Sequence, residues 1–152
     1  NIRTSFISNE MLFREHMERI FRLADIVKVS DEDLNWLFPE PETVEKKINV
    51  VQEFGPALVV LTQGEYGVTA WKPDGNPIFV ESLKVDVVDT VGAGDSFNAG
   101  FLTNLTNGGH LNKADIRLIL ENDIVAALNY GVRAAAITVG RAGANPPWKD
   151  EL

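Results

Sequence analysis

The residues with the clearest chemical potential stand in one run, Asp89-Thr90-Val91-Gly92-Ala93-Gly94-Asp95-Ser96-Phe97-Asn98-Ala99-Gly100-Phe101. Gly92 and Gly94 can take positive φ and, lacking Cβ atoms, let another molecule come close to the backbone. Behind them Phe97, Phe101, Leu102 and Leu105 recur at helical spacing, which predicts a helix over Ser96 to Leu105. Ahead of them the alternating run Lys84-Val85-Asp86-Val87-Val88 predicts a strand. A strand-to-helix turn of this kind exposes the amide N–H groups of the first helical turn beside the positive end of the helix dipole, which suits an anion and most often a phosphate. Asp95 would repel that phosphate unless its carboxylate has a chemical task. The run therefore points to phosphate binding combined with an acid or base. A purely structural role competes: Asp is a preferred N-cap, and two glycines that only shape a turn need no ligand. Other glycine loops fit less well, because Phe97 stands where the dinucleotide fingerprint wants a third small residue and the Gly-Lys-Ser/Thr of a Walker loop is absent.

Asp89 to Phe101 resembles the C-terminal signature of the ribokinase-like (PfkB) carbohydrate kinases, Asp-Thr-x-Gly-Ala-Gly-Asp followed by an apolar helix. The resemblance runs through most of the chain in the family's order, and Arg141-Ala142-Gly143-Ala144-Asn145-Pro146-Pro147-Trp148 is most similar to bacterial fructokinases. It implies an α/β fold of three layers, α/β/α, with a mostly parallel sheet and an antiparallel edge hairpin. It implies Asp95 as the catalytic base and Gly92, Ala93 and Gly94 as the anion hole for the transferred phosphoryl group. ATP and Mg2+ are the implied cofactors. Thr62, Gly64 and Gly67 match the family's Thr-x-Gly-x-x-Gly turn along the nucleotide's phosphates and ribose, although any strand-loop-strand connection uses the same residue types. Asn129, Ala135 or Ala136, and the loop from Gly140 to Asn145 with Gly143 and Ala144 are the implied adenine or ribose contacts.

Two metal assignments follow from the same resemblance. Asp33, in Ser30-x-x-Asp33, stands where many members carry an Asn-x-x-Glu whose acid organises magnesium through water; the four residues also resemble a capping box, which needs no metal. Backbone carbonyls at Asp89 and Val91 are implied ligands of a potassium ion. The implied reaction is ATP-dependent phosphorylation of a sugar hydroxyl, with fructose as the foremost acceptor. A different acceptor within the family (2-keto-3-deoxygluconate, ribose or a nucleoside) and a non-catalytic nucleotide-binding module are the alternatives. Residues 1–152 correspond to the family's C-terminal half, with Asn1 to Arg3 closing a central strand and Arg3 near the phosphate path. The sugar-binding half and its lid are expected outside these residues, so the 152 residues alone are expected not to phosphorylate sugar, and a homodimer of the full-length enzyme through that lid is implied.

The rest of the chain must position these groups. Its length suits one domain with a sizeable core. A net charge of −8 without a basic stripe argues against a nucleic-acid surface. The absence of cysteine excludes disulfides and thiolate metal sites and suits a cytoplasmic setting. No apolar run is long enough to span a membrane. Ser8 or Asn9 can cap a helix to about Ala24 with Phe13, Met17, Ile20, Phe21 and Ala24 on its apolar face. A short buried strand, Ile26 to Val29, precedes a helix opening at Ser30, which Pro39 and Pro41 end. Thr43 caps a third helix with Val44, Ile48, Val51 and Phe54 inward, and Ala57 to Leu61 reads as a strand covered on both faces. Val68 to Lys72 and Pro77 to Glu81, joined by Pro73-Asp74-Gly75-Asn76, predict a hairpin. Helices are expected over Lys113 to Glu121 and Asp123 to about Ala136, and His110 reads as a surface loop residue.

Overall fold

A computed structural model of the chain describes residues 2–40, 42–73 and 75–152. The expectations placed on Asn1, Pro41 and Asp74 lie outside the described residues. The chain divides into two units, the first comprising Asn1–Thr62 and Ala70–Asn76 and the second Gln63–Thr69 and Pro77–Leu152.

The first unit is built from local signals that the folded chain obeys. Asn9 caps α1 (Glu10–Leu23) by accepting the Leu12 N–H at 3.0 Å. Ser30 ends β1 (Ile26–Ser30) and caps α2 (Asp31–Leu37), and Thr43 caps α3 (Val44–Glu53). In each case a short side-chain oxygen satisfies an N–H that the first helical turn leaves without a partner. β1 pairs in parallel with β2 (Leu58–Thr62), Val27 opposite Val59 and Val29 opposite Leu61. The crossover between them is long enough to need helices, as parallel pairing requires. Phe21, Val27, Val29, Leu34, Leu37, Ile48, Val51, Val59 and Leu61 form one apolar core. Burial of each large side chain there stabilises the fold by roughly 1.5–3 kcal/mol relative to exposure. Ile20, expected on the inner face of α1, is instead 54% exposed. The core-facing stripe passes through Phe13, Met17 and Phe21, and position 20 falls beside it.

The four strands are ordered β1-β2-β3-β4 in one mixed sheet, with β3 at Val68–Trp71 and β4 at Ile78–Val80. Lys84 to Val88 forms no strand, contrary to its alternation. Val87 and Val88 are 63% and 62% exposed, and the backbone there is fastened by the Val88 and Asp89 N–H groups, which both donate to Val139 O. Alternation reports which side chains share a face; a strand also needs a neighbouring strand to hydrogen-bond.

The second unit rests on two long helices, α4 (Ala93–Asn107) and α6 (Glu121–Val139), with a short helix α5 (Asp115–Leu118) between them. α5 is shorter than expected because Ile119 leaves helical conformation, and α6 runs one turn past Ala136. Leu102, expected on the apolar face of α4, is 40% exposed, whereas Phe97, Phe101 and Leu105 are buried. α4 and α6 touch where Gly100 faces Gly131. A Cβ on Gly100 would stand 2.9 Å from both the Ala134 Cβ and the Tyr130 carbonyl oxygen, so the backbones approach as closely as glycine alone permits. Gly100→Val is expected to force the helices apart and to cost about 1–3 kcal/mol. Thermal denaturation should then show a midpoint several degrees lower; an unchanged midpoint would mean that the helices do not meet this closely.

Candidate active site

The close α4–α6 pair places two chain segments side by side in the second unit: the turn that enters α4 and the loop that leaves α6. Gly92 caps α4 in left-handed conformation, φ 82° and ψ 0°, and its carbonyl accepts the Ser96 N–H at 2.9 Å. The Ala93 N–H reaches Thr90 O at 3.3 Å. The amides of Gly94 and Asp95 have no acceptor among the described residues. Two free N–H groups at the positive end of a 15-residue helix suit an anion.

Asp95 is the third residue of α4 and is exposed. Gly92, not Asp95, occupies the cap position, and the Asp95 carboxylate makes no hydrogen bond or ion pair among the described residues. The capping role that competed for this acid is thereby excluded. A carboxylate held at a helix start with its oxygens free can accept a proton from an incoming hydroxyl.

Beneath the turn, Thr138 Oγ1 and Ser96 Oγ are 2.7 Å apart, both buried, and the Thr138 hydroxyl also lies 2.9 Å from Ala134 O. This pair ties the first turn of α4 to the last turn of α6. The loop beyond α6 is tied at several points. Gly143, at φ 69°, donates its N–H to Asp89 Oδ2 at 2.9 Å, while Asp89 Oδ1 accepts the Val91 N–H at 3.0 Å. Those bonds, that from Val91 foremost, hold the Asp89 carboxyl below its ordinary value. Ala144 lies against Gly92, where an added Cβ would come within 3.0 Å of the Ala144 Cβ. Further on, Glu151 accepts from Arg141 and from the Trp148 N–H, the Arg141 bond being the foremost reason that its carboxyl is held low.

Of the residues expected to act together, Asp89, Val91, Gly92, Ala93, Gly94, Asp95, Gly143 and Ala144 therefore converge. Asn129 does not join them: its side chain donates back to Val125 O at 2.8 Å, and it lies ten residues, about 15 Å of helical rise, before the end of α6. Gly67 has a structural reason of its own, since at φ 116° an added Cβ would fall 2.3 Å from Val80 O. Gly64, at φ 54°, opens a 3-10 turn and borders open space. Thr62 closes β2 in the first unit, with its hydroxyl 3.5 Å from Val29 O. Asp33, also in the first unit, gives its N–H to Ser30 Oγ and accepts the Ile2 N–H at 3.0 Å. A cavity of about 430 Å³ in the first unit is lined by Arg3, Phe6, Asn9, Phe13 and His16 and by no residue of the Gly92–Asp95 turn.

Sequence reasoning missed two features of this site. The Asp89 carboxylate acts as a bracket, and half of it was readable, because Asp followed two residues later by a free N–H is an Asx turn. The Ser96–Thr138 pair spans 42 residues and leaves no local trace.

The chain is similar to known proteins over most of its length. A family profile described as pfkB family carbohydrate kinase matches residues 1–151. A fructokinase of Klebsiella pneumoniae is 33% identical over 152 residues, covering the whole chain and 48% of that protein. A fructokinase of Rhizobium leguminosarum bv. trifolii is 40% identical over 119 residues, 76% of this chain and 35% of its own length. The chain thus spans half or less of the curated relatives it matches. Among solved structures, a double mutant of Vibrio cholerae O395 fructokinase in its fructose-, ADP- and potassium-bound form superposes with a TM-score of 0.80 at 26% identity, over 94% of this chain and 43% of that one.

Proposed function

The chain belongs to the pfkB family of carbohydrate kinases, and on that premise we propose that it carries the catalytic part of an ATP-dependent sugar kinase whose acceptor is fructose. The observation that carries the proposal is the free Asp95 carboxylate standing beside the free amides of Gly94 and Asp95 at the start of α4. Asp95 takes the proton of the acceptor hydroxyl as its oxygen bonds to the γ-phosphorus of ATP and the bond from that phosphorus to ADP breaks, ADP leaving. The amides stabilise the charge that grows on the phosphoryl oxygens, and positioning of this kind is most of what phosphoryl transfer asks of a protein.

ATP would supply the phosphoryl group, and magnesium would offset the charge of its phosphates. Among the described residues no group of three or more His, Cys, Asp and Glu side chains could hold a metal. The carbonyl oxygens of Asp89 and Val91 accept no hydrogen bond among the described residues, so they suit a potassium ion, as proposed from the family pattern. Thr62, Gly64, Gly143 and Ala144 remain the proposed nucleotide contacts, and Asp33 the proposed magnesium-organising acid. No described helix is long and apolar enough to cross a membrane; the cytoplasm, which supplies ATP, is the proposed setting.

The relatives named fructokinase support fructose as acceptor. The intact protein, supplied with ATP, magnesium and each of fructose, ribose, 2-keto-3-deoxygluconate and a nucleoside, should release ADP fastest with fructose. A faster reaction with another acceptor would overturn the fructose assignment. No acceptor-dependent ADP release would overturn the kinase assignment.

A further inference from the structure

We infer that the Asp89 carboxylate is a positioning residue that sets the distance between the Gly92–Asp95 turn and the loop over 140–145, and so presets the nucleotide subsite that the proposed kinase function places there. Each of its oxygens serves a different segment. Oδ1 accepts the Val91 N–H, which closes the turn locally; Oδ2 accepts the Gly143 N–H from 54 residues away. An Asx turn needs only the first of these bonds. The second has no part in the turn and joins it to the loop.

The carboxylate is itself anchored, because the Asp89 N–H is bonded to Val139 O at the end of α6. One residue beyond Gly143, Ala144 lies beside Gly92, where an added Cβ would stand 3.0 Å from the Ala144 Cβ. Val91 and Gly143 are both exposed, so the two charge-assisted bonds add to the Ala144 contact in holding this spacing.

Asp89→Ser separates the two bonds, since a serine hydroxyl can still close the turn on Val91 but does not reach Gly143. In the intact protein, exchange of the Gly143 amide should accelerate about tenfold, the loss of one charge-assisted bond, while amides of Phe101 and Leu128 in the α4–α6 core keep their protection. ADP affinity measured by calorimetry should fall by a similar factor, with a smaller change in kcat at saturating nucleotide. Asp89→Asn, which keeps one acceptor oxygen, should give the same pattern and serves if the serine variant does not fold. Unchanged Gly143 exchange would overturn the bracket. Faster exchange with unchanged ADP affinity would reduce Asp89 to a structural tie and overturn its role in the nucleotide subsite. Failure of the kinase assignment looks different: the unsubstituted protein itself would show no acceptor-dependent ADP release, while the exchange and calorimetry arms would still report on Asp89.

Discussion

Asp95→Asn is expected to lower kcat by roughly 10²- to 10⁴-fold, the usual contribution of a general base, while leaving ADP affinity within about twofold. Asn has the shape of Asp but cannot accept the hydroxyl proton. The substitution breaks no bond of the folded chain, because the Asp95 carboxylate is exposed and makes no hydrogen bond or ion pair among the described residues. Loss of a negative charge in the first turn of α4 costs only about 0.3–1 kcal/mol through the helix dipole. The thermal midpoint should therefore move little while turnover collapses. A variant with near-normal kcat would remove Asp95 from the base role. A variant whose midpoint fell together with its activity would show that the acid supports the fold instead.

Gly92→Val should be the second most damaging change. Gly92 holds φ 82°, a left-handed conformation that costs an L-residue about 1–2 kcal/mol, and more for a β-branched one. Its new Cβ would also press on Ala144, 3.0 Å away, so both the turn and the loop must shift. The free amides of Gly94 and Asp95 would then be re-aimed. Since removal of one well-placed oxyanion donor costs about 10²- to 10³-fold in kcat, a loss in that range is expected, together with weaker ADP binding. Steady-state kinetics and calorimetry on the folded variant would check it. Retained turnover would mean that the turn tolerates a side chain and does not cradle phosphate.

These two effects differ in how far they could be read in advance. The spacing of Gly92, Gly94 and Asp95 points to the proposed anion site, since two glycines before a helix act within a few residues. The caps at Asn9, Ser30 and Thr43 were legible for the same reason: a side-chain oxygen and the N–H it satisfies are three residues apart. Even there the local pattern left Asp95 open between cap and base. The position of Gly92, one turn earlier than the expected helix start, was what separated them.

The amino-acid order by itself determined the helix caps at Asn9, Ser30 and Thr43, the apolar β2 run, the glycine turn and the presence of an acid beside it, because each depends on interactions within about one helical turn. Tertiary structure decided the rest. It left Lys84 to Val88 without a partner strand, turned Ile20 and Leu102 to solvent, kept Asn129 bonded to its own helix, and brought Asp89 to Gly143 and Ser96 to Thr138. Those contacts close loops of 54 and 42 residues. Whether such a loop closes depends on how tightly α4 packs on α6 at Gly100 and Gly131, a close fit between two backbones that no local preference encodes.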